Sequence, residues 1–193
     1  LIIWLSVFIF VNYRLRNEIK KREETEIKLS NLANNDSLTG IYNRRKIEEL
    51  CEAELKRSER YSNELSVIFF DVNDFKIIND KLGHHKGDEV LIKIASVISQ
   101  NIRTTDYFGR WGGDEFLIVL PQTNLYKTEH LVKILENILT TINFDLKMNR
   151  KISCSFGLSQ YEKNDTLDSF LKRADESMYV NKYNYRQSKL QQL

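Results

Sequence analysis

Residues 107–120 read YFGRWGGDEFLIVL. Two runs suited to strands, Tyr107–Trp111 and Phe116–Leu120, flank the pair Gly112-Gly113. Glycine reaches the positive φ values of a tight hairpin turn at no steric cost, so this pattern predicts a β-hairpin. Pro121 closes the second run because it offers no donor to a sheet ladder. Asp114 and Glu115 sit on or beside the turn, which puts two carboxylates at the tip of the hairpin.

Working outward, Leu65–Phe70 (LSVIFF) is a short, continuous apolar run that ends in Asp71, the pattern of a buried strand. The spacing of Ile47, Leu50, Cys51 and Leu55 predicts an amphipathic helix over 43–60 with Asn43 as its cap. A short helix is expected over Phe75–Leu82, then a loop over Gly83–Gly87. Asp88 would open a longer helix whose inner face is Val90, Leu91, Ile94, Ala95 and Ile98. Another helix carries Leu131, Leu135, Ile138, Leu139 and Ile142. Ile152–Leu158 reads as a strand, and Leu167–Val180 as a last helix with Phe170, Leu171, Ala174 and Met178 inward. Strands and helices alternating around a hairpin predict an α/β (α+β) sandwich with a mixed central sheet flanked by helices.

The chain has 193 residues, 41% hydrophobic and 11% aromatic, which is enough for a real core. With 29 basic and 27 acidic residues the net charge is only +2, so no nucleic-acid partner is indicated. Two cysteines, Cys51 and Cys154, are too few for a disulfide framework and read as core filling in a reduced compartment.

The amino end differs from the rest. Leu1–Val11 (LIIWLSVFIFV) is almost wholly apolar, and Arg14, Arg16, Lys20, Lys21 and Arg22 follow it. Apolar residues followed by a basic cluster are the pattern of the cytoplasmic end of a membrane helix. Residues 1–13 are therefore expected to be the end of a truncated transmembrane helix, holding the protein at the bacterial inner membrane with its globular part in the cytoplasm. Residues 14–35 form a stalk helix, either a weak coiled coil through Leu15, Ile19, Leu29 and Ala33 or a solvated linker. Residues 36–187 make the globular domain and 188–193 a tail.

Several side chains suit phosphate chemistry. Asp71, taken alone, reads as a strand-ending cap. If the hairpin pairs beside its strand, Asp71, Asp114 and Glu115 converge, and such carboxylates resist ionising together unless a cation neutralises them. All-oxygen ligands suit Mg²⁺. The turn Val72-Asn73-Asp74-Phe75 leads into a helix whose first N–H groups could face an anion, with Lys76 on that helix. Lys182 and Arg186, four apart on the last helix, share one face. Asn79 and Asp88 flank the glycine-rich loop. Such a pair can read a guanine edge, or each can serve as an ordinary turn or cap residue.

Four ordered motifs give the chain a close resemblance to the GGDEF family of diguanylate cyclases. They are DSLTGIYNRR at 36–45; DVNDFKIIND at 71–80 with Gly83-His84 and Gly87-Asp88; GGDEF at 112–116; and Ala174-Asp175, Met178-Tyr179 and Lys182 near the end. The resemblance implies a fold similar to the nucleotidyl cyclase and polymerase palm, and condensation of two GTP into cyclic di-GMP with release of two pyrophosphates. By that resemblance, Asp71, the Val72 carbonyl and Asp114 would hold Mg²⁺ or Mn²⁺. Asp114, Glu115 and Lys76 would serve catalysis. Asn79, Asp88, Leu38 and Leu91 would form the guanine site, and the Asp74 and Phe75 amides with Lys182 and Arg186 the phosphate site. Two GTP must meet, which implies a homodimer. Arg103 and Asp106 (RTTD) resemble the family's inhibitory site for product.

Two positions depart from the family pattern: Asn73 stands where a second Asp is commoner, and Tyr185 stands where the closing motif has glycine. The competing functional reading is a degenerate, non-catalytic receptor for GTP or cyclic di-GMP. A third reading, an interaction module, would leave Asp71, Asp114, Asn79 and Asp88 without a shared purpose.

Overall fold

A computed structural model describes residues 2–142 and 152–190, without the side chains of residues 2–11 and 27. Leu1 of the expected membrane segment and residues 191–193 of the expected tail lie outside the described residues. The chain divides into two units, Leu1–Asn35 and Asp36–Leu193.

The first unit is a single helix, α1 (Ile2–Asn34), with Leu15, Ile19 and Leu29 exposed. Among the described residues no helix is long and apolar enough to cross a membrane, so the expected inner-membrane location is not supported. The physical reason is length. The thirteen residues before the first arginine, of which the first eleven are almost wholly apolar, rise only about 20 Å, against a hydrocarbon core of about 30 Å.

The second unit runs α2 (Arg44–Tyr61), β1 (Leu65–Val72), α3 (Phe75–Leu82), α4 (His84–Asn101), β2 (Tyr107–Gly112), β3 (Glu115–Pro121), α5 (Leu125–Thr141), β4 (Cys154–Gln160) and α6 (Leu167–Leu190). The four strands lie in the order β2-β3-β1-β4, with β2–β3, β3–β1 and β1–β4 all antiparallel. An isolated parallel bridge, Tyr42 to Gly109, adds the parallel pairing at the β2 edge. The α+β sandwich expected from the alternation of elements is what forms.

β1 sits at the centre of the sheet, and all eight of its residues are buried, which explains why its sequence is continuously apolar instead of alternating. Its odd and even positions face two separate cores. Ile68, Phe70 and Val72 meet α4 and α5, where Phe70 stacks on Phe116 and Phe108 (centroids 5.0 and 6.1 Å) and lies 5.1 Å from Phe156. Each such aromatic pair adds about 0.5–1.5 kcal/mol beyond burial. Val67 and Phe69 face α2 and α6 with Leu117, Val119, Phe170 and Met178.

Each core holds one cysteine. Burial first, then the Glu54 charge, pushes the Cys51 thiol up to about 12; burial also raises Cys154.

Gly157 sets how α6 approaches the sheet. A side chain there would lie 2.0 Å from the Ala174 carbonyl and 2.2 Å from the Met178 nitrogen. Only glycine lets the helix backbone rest directly on β4. One turn past this contact, α6 reaches the end of β1.

The helix before the hairpin begins earlier than expected. Residues 84–87, read as loop, form the first turn of α4, so Asp88 lies inside the helix and is not its cap. Gly83, at φ 84°, makes the break between α3 and α4 that the glycines had suggested for the whole segment.

Candidate active site

The antiparallel register sets Asp71 directly opposite Glu115, which puts both side chains on one face of the sheet. Asp114 precedes Glu115 in the turn, and its carbonyl accepts the Val72 N–H at 3.2 Å. The expected pairing of the glycine hairpin beside the Asp71 strand is therefore present. Asp71 is 1% exposed. Its Oδ2 pairs with the Lys182 ammonium, while its Oδ1 is buried without a hydrogen-bond partner. Burial raises the pKa of Asp114 despite the Arg110 charge. Glu115 is raised by burial first and then by repulsion from Asp114 and Asp175, against the pull of Arg44.

Arg110 shapes this tip, and the sequence reading gave it no role. Its Nε and Nη2 donate to the Gly113 carbonyl at 2.9 and 2.8 Å, and its Nη1 donates to both Asp36 carboxylate oxygens at 3.1 and 3.2 Å. Asp36 also accepts from the Thr39 N–H and hydroxyl. The opening DSLT turn is thus clamped to the glycine turn. The one available signal was an arginine two residues before Gly112 with no apolar reason to be there.

Asn73, which replaces a more usual acid, turns away from this edge. It is buried, its Nδ2 donates to Ser153 Oγ at 3.1 Å, and its Oδ1 accepts from Ser155 Oγ at 2.7 Å. It ties the end of β1 to the start of β4.

On the other face, α3 and α4 pack so closely that a Cβ on Gly87 would lie 1.9 Å from Asn79 Oδ1. Asn79 therefore lies against Gly87, immediately before Asp88. Its Oδ1 is buried and has no hydrogen-bond partner. Leu91 is 1% exposed within the core, with Leu38 and Phe75 packed against the same cluster. Lys76 is exposed on the first turn of α3.

Asp74 precedes that turn in the left-handed conformation (φ 58°), and its side chain makes no cap hydrogen bond to α3. It faces α6 instead, where the Tyr185 hydroxyl donates to Asp74 Oδ2 at 3.2 Å and the Lys189 ammonium pairs with the same oxygen. Arg186 is exposed one turn beyond Lys182.

Arg103 and Asp106 lie at the opposite end of β2 from the glycine turn, so they are not part of this cluster. The Arg103 N–H donates to Asp106 Oδ2 at 2.9 Å, and the Asp106 N–H returns to the Arg103 carbonyl at 3.0 Å. Asp106 Oδ1 is buried without a partner, and burial raises its pKa against the Arg103 contacts.

Among the described residues no group of three or more His, Cys, Asp or Glu side chains converges as a ready-made metal site. The donor chemistry nevertheless fits a hard divalent cation. Asp71 presents an unpartnered buried carboxylate oxygen, and Asp114 and Glu115 are acids whose charge burial disfavours.

The family profile described as diguanylate cyclase, GGDEF domain, matches residues 33–188. The chain is 35% identical over 145 residues to Diguanylate cyclase DgcP of Pseudomonas aeruginosa, covering 75% of this chain and 22% of that one. It is 36% identical over 164 residues to a Diguanylate cyclase of Vibrio cholerae, covering 84% of this chain and 51% of that one. The chain thus spans about a fifth to a half of the length of these relatives. In fold it is similar to the coiled coil and GGDEF domain of DgcB from Caulobacter crescentus, solved in complex with c-di-GMP. That match has a TM-score of 0.81 at 22% identity over 90% of this chain and 95% of that one.

Proposed function

The chain belongs to the GGDEF diguanylate cyclase family, and from that premise we propose that it condenses two GTP into cyclic di-GMP as a homodimer. Each 3′-hydroxyl attacks the partner nucleotide's α-phosphate. A new P–O bond forms, the bond to the β-phosphate oxygen breaks, and one pyrophosphate and one proton leave per bond. Two bonds make the ring, so two copies of the site must face each other.

The observation that supports this reading is the pair of unpartnered buried oxygens, Asp71 Oδ1 near the end of β1 and Asn79 Oδ1 on α3. Buried polar groups without partners are rare and point to a missing ligand. Asn79 with Asp88 would read the guanine edge, and Leu38 and Leu91 would line the base site. The amides of Asp74 and Phe75, with Lys182 and Arg186, would carry the β- and γ-phosphates. Lys76 would steady charge developing on the phosphates.

Asp71, Asp114 and the Val72 carbonyl would hold Mg²⁺ or Mn²⁺, with Glu115 alongside. When bound, such a cation lowers the pKa of the attacking hydroxyl and offsets charge at the α-phosphate. Lys182 then has to leave Asp71, and the phosphates give its ammonium a new partner. Arg103 and Asp106 would bind product away from this chemistry and limit turnover. The Asp106 oxygen without a partner supports a ligand there.

The test is chromatography of products after incubation with GTP or ATP and Mg²⁺. GTP is expected to give cyclic di-GMP and ATP no cyclic product. Asp114→Ala should lower turnover by more than about a hundredfold. Sustained turnover in that variant overturns the mechanism, and GTP binding without turnover in the wild type favours the receptor reading.

A further inference from the structure

The contacts of α6 with Asp74 reach past the residues assigned above. Lys182, Tyr185 and Lys189 are spaced at i, i+3 and i+7, so one face of the helix addresses the turn between β1 and α3. Lys182 takes Asp71, while Tyr185 and Lys189 take Asp74. Asp74 stands at the start of α3, where an acid normally caps its own helix, yet no side-chain cap bond forms. Its carboxylate is therefore spent on α6.

This matters because the start of α3 is also where the triphosphate is expected. An uncompensated carboxylate there would repel phosphate oxygens at close range. Resting on the nucleotide reading above, we infer that Tyr185 and Lys189 are positioning residues for the triphosphate. They neutralise Asp74 and draw its carboxylate toward α6, away from the helix start. The phosphates are then met by the amides, Lys182 and Arg186, without a competing negative charge. Asp74, Tyr185 and Lys189 form one unit, and the residue most responsible for triphosphate tolerance is Lys189, which lies beyond the Lys182–Arg186 pair.

The experiment is equilibrium binding of GTP and of GMP, with Mg²⁺ present, to the full chain and its variants. Lys189→Ala is expected to weaken GTP about tenfold and leave GMP within twofold, since GMP does not reach the start of α3. Adding Asp74→Asn to Lys189→Ala should bring GTP affinity back to within about threefold of the wild type, because the charge to be neutralised is gone. Tyr185→Phe should give a smaller loss of the same kind.

Unchanged GTP binding in Lys189→Ala overturns the inference. So does an equal loss for GTP and GMP, which marks a purely structural role. A failure of Asp74→Asn to rescue also overturns it and makes Lys189 a direct phosphate ligand. A wild-type chain that binds no GTP overturns the nucleotide reading itself, and this inference with it.

Discussion

Asp114 sits where its charge is disfavoured. Burial raises its pKa above the ordinary 3.8, so the folded chain holds its proton more tightly than the unfolded chain does. Above the raised pKa the ionised group therefore costs stability, and the cost fades as pH falls and the folded state protonates first. Without divalent cations, Asp114→Asn is thus expected to raise the melting temperature at neutral pH by about 2 °C. The gain should shrink toward pH 4. Calorimetry in EDTA at several pH values checks this, and a lower melting temperature at neutral pH would show that a partner already offsets the burial. A residue that costs stability at rest is one mark of a site built for a ligand. Asn73 shows the reverse: its polar atoms are satisfied by Ser153 and Ser155, so it belongs to the frame and not to the chemistry.

At the scale of elements, α6 carries Lys182 and Arg186, so its docking sets where these two proposed phosphate contacts lie. Gly157 sets its distance from β4, and the loop before it is pinned by Asp165. That carboxylate takes Arg173 Nη1 and Nη2, each at 2.6 Å, together with the Ser169 hydroxyl and the Glu162 N–H. The Arg173 hydrogen bonds, ahead of the opposing effect of burial, hold Asp165 down to about 2. A depressed folded pKa contributes stability above the ordinary carboxylate range, and that contribution is lost as pH falls from about 4 toward 2. Asp165→Asn should cost about 2 kcal/mol at pH 7 and markedly less near pH 2.5, as read from urea titrations at both values. An equal cost at both would remove the ion pair from the account.

Elements of this kind were legible where a local pattern decides them. The continuous apolar run gave β1, two glycines gave the hairpin, and the spacing of Phe170, Leu171, Ala174 and Met178 gave the inner face of α6. The start of α4 was not legible. Glycines at 83 and 87 read as loop, whereas Gly87 is helical and small because Asn79 lies against it. The clamp from Arg110 to Asp36 and the tie from Asn73 to Ser155 span 74 and 82 residues, so no local window contains both partners. The residues proposed to meet GTP come from motif order; the Asp74, Tyr185 and Lys189 unit has no such local signal, because its members come together only when α6 docks.

For the whole molecule, the proposed half-site makes turnover a matter of encounter. In a preparation that light scattering shows to be monomeric, specific activity should rise in proportion to protein concentration and level off as the dimer fills. Specific activity that stays constant across a hundredfold dilution would show that one copy suffices.

The two cysteines, one in each core, give the same molecule a built-in gauge. Alkylating reagents attack the thiolate. Burial keeps Cys51 protonated and shielded on the inner face of α2, and Cys154 likewise on β4 in the core with α4 and α5. Each therefore reacts only when its own layer lifts from the sheet. Two mass increments, timed separately, then tell which side of the sandwich opens first.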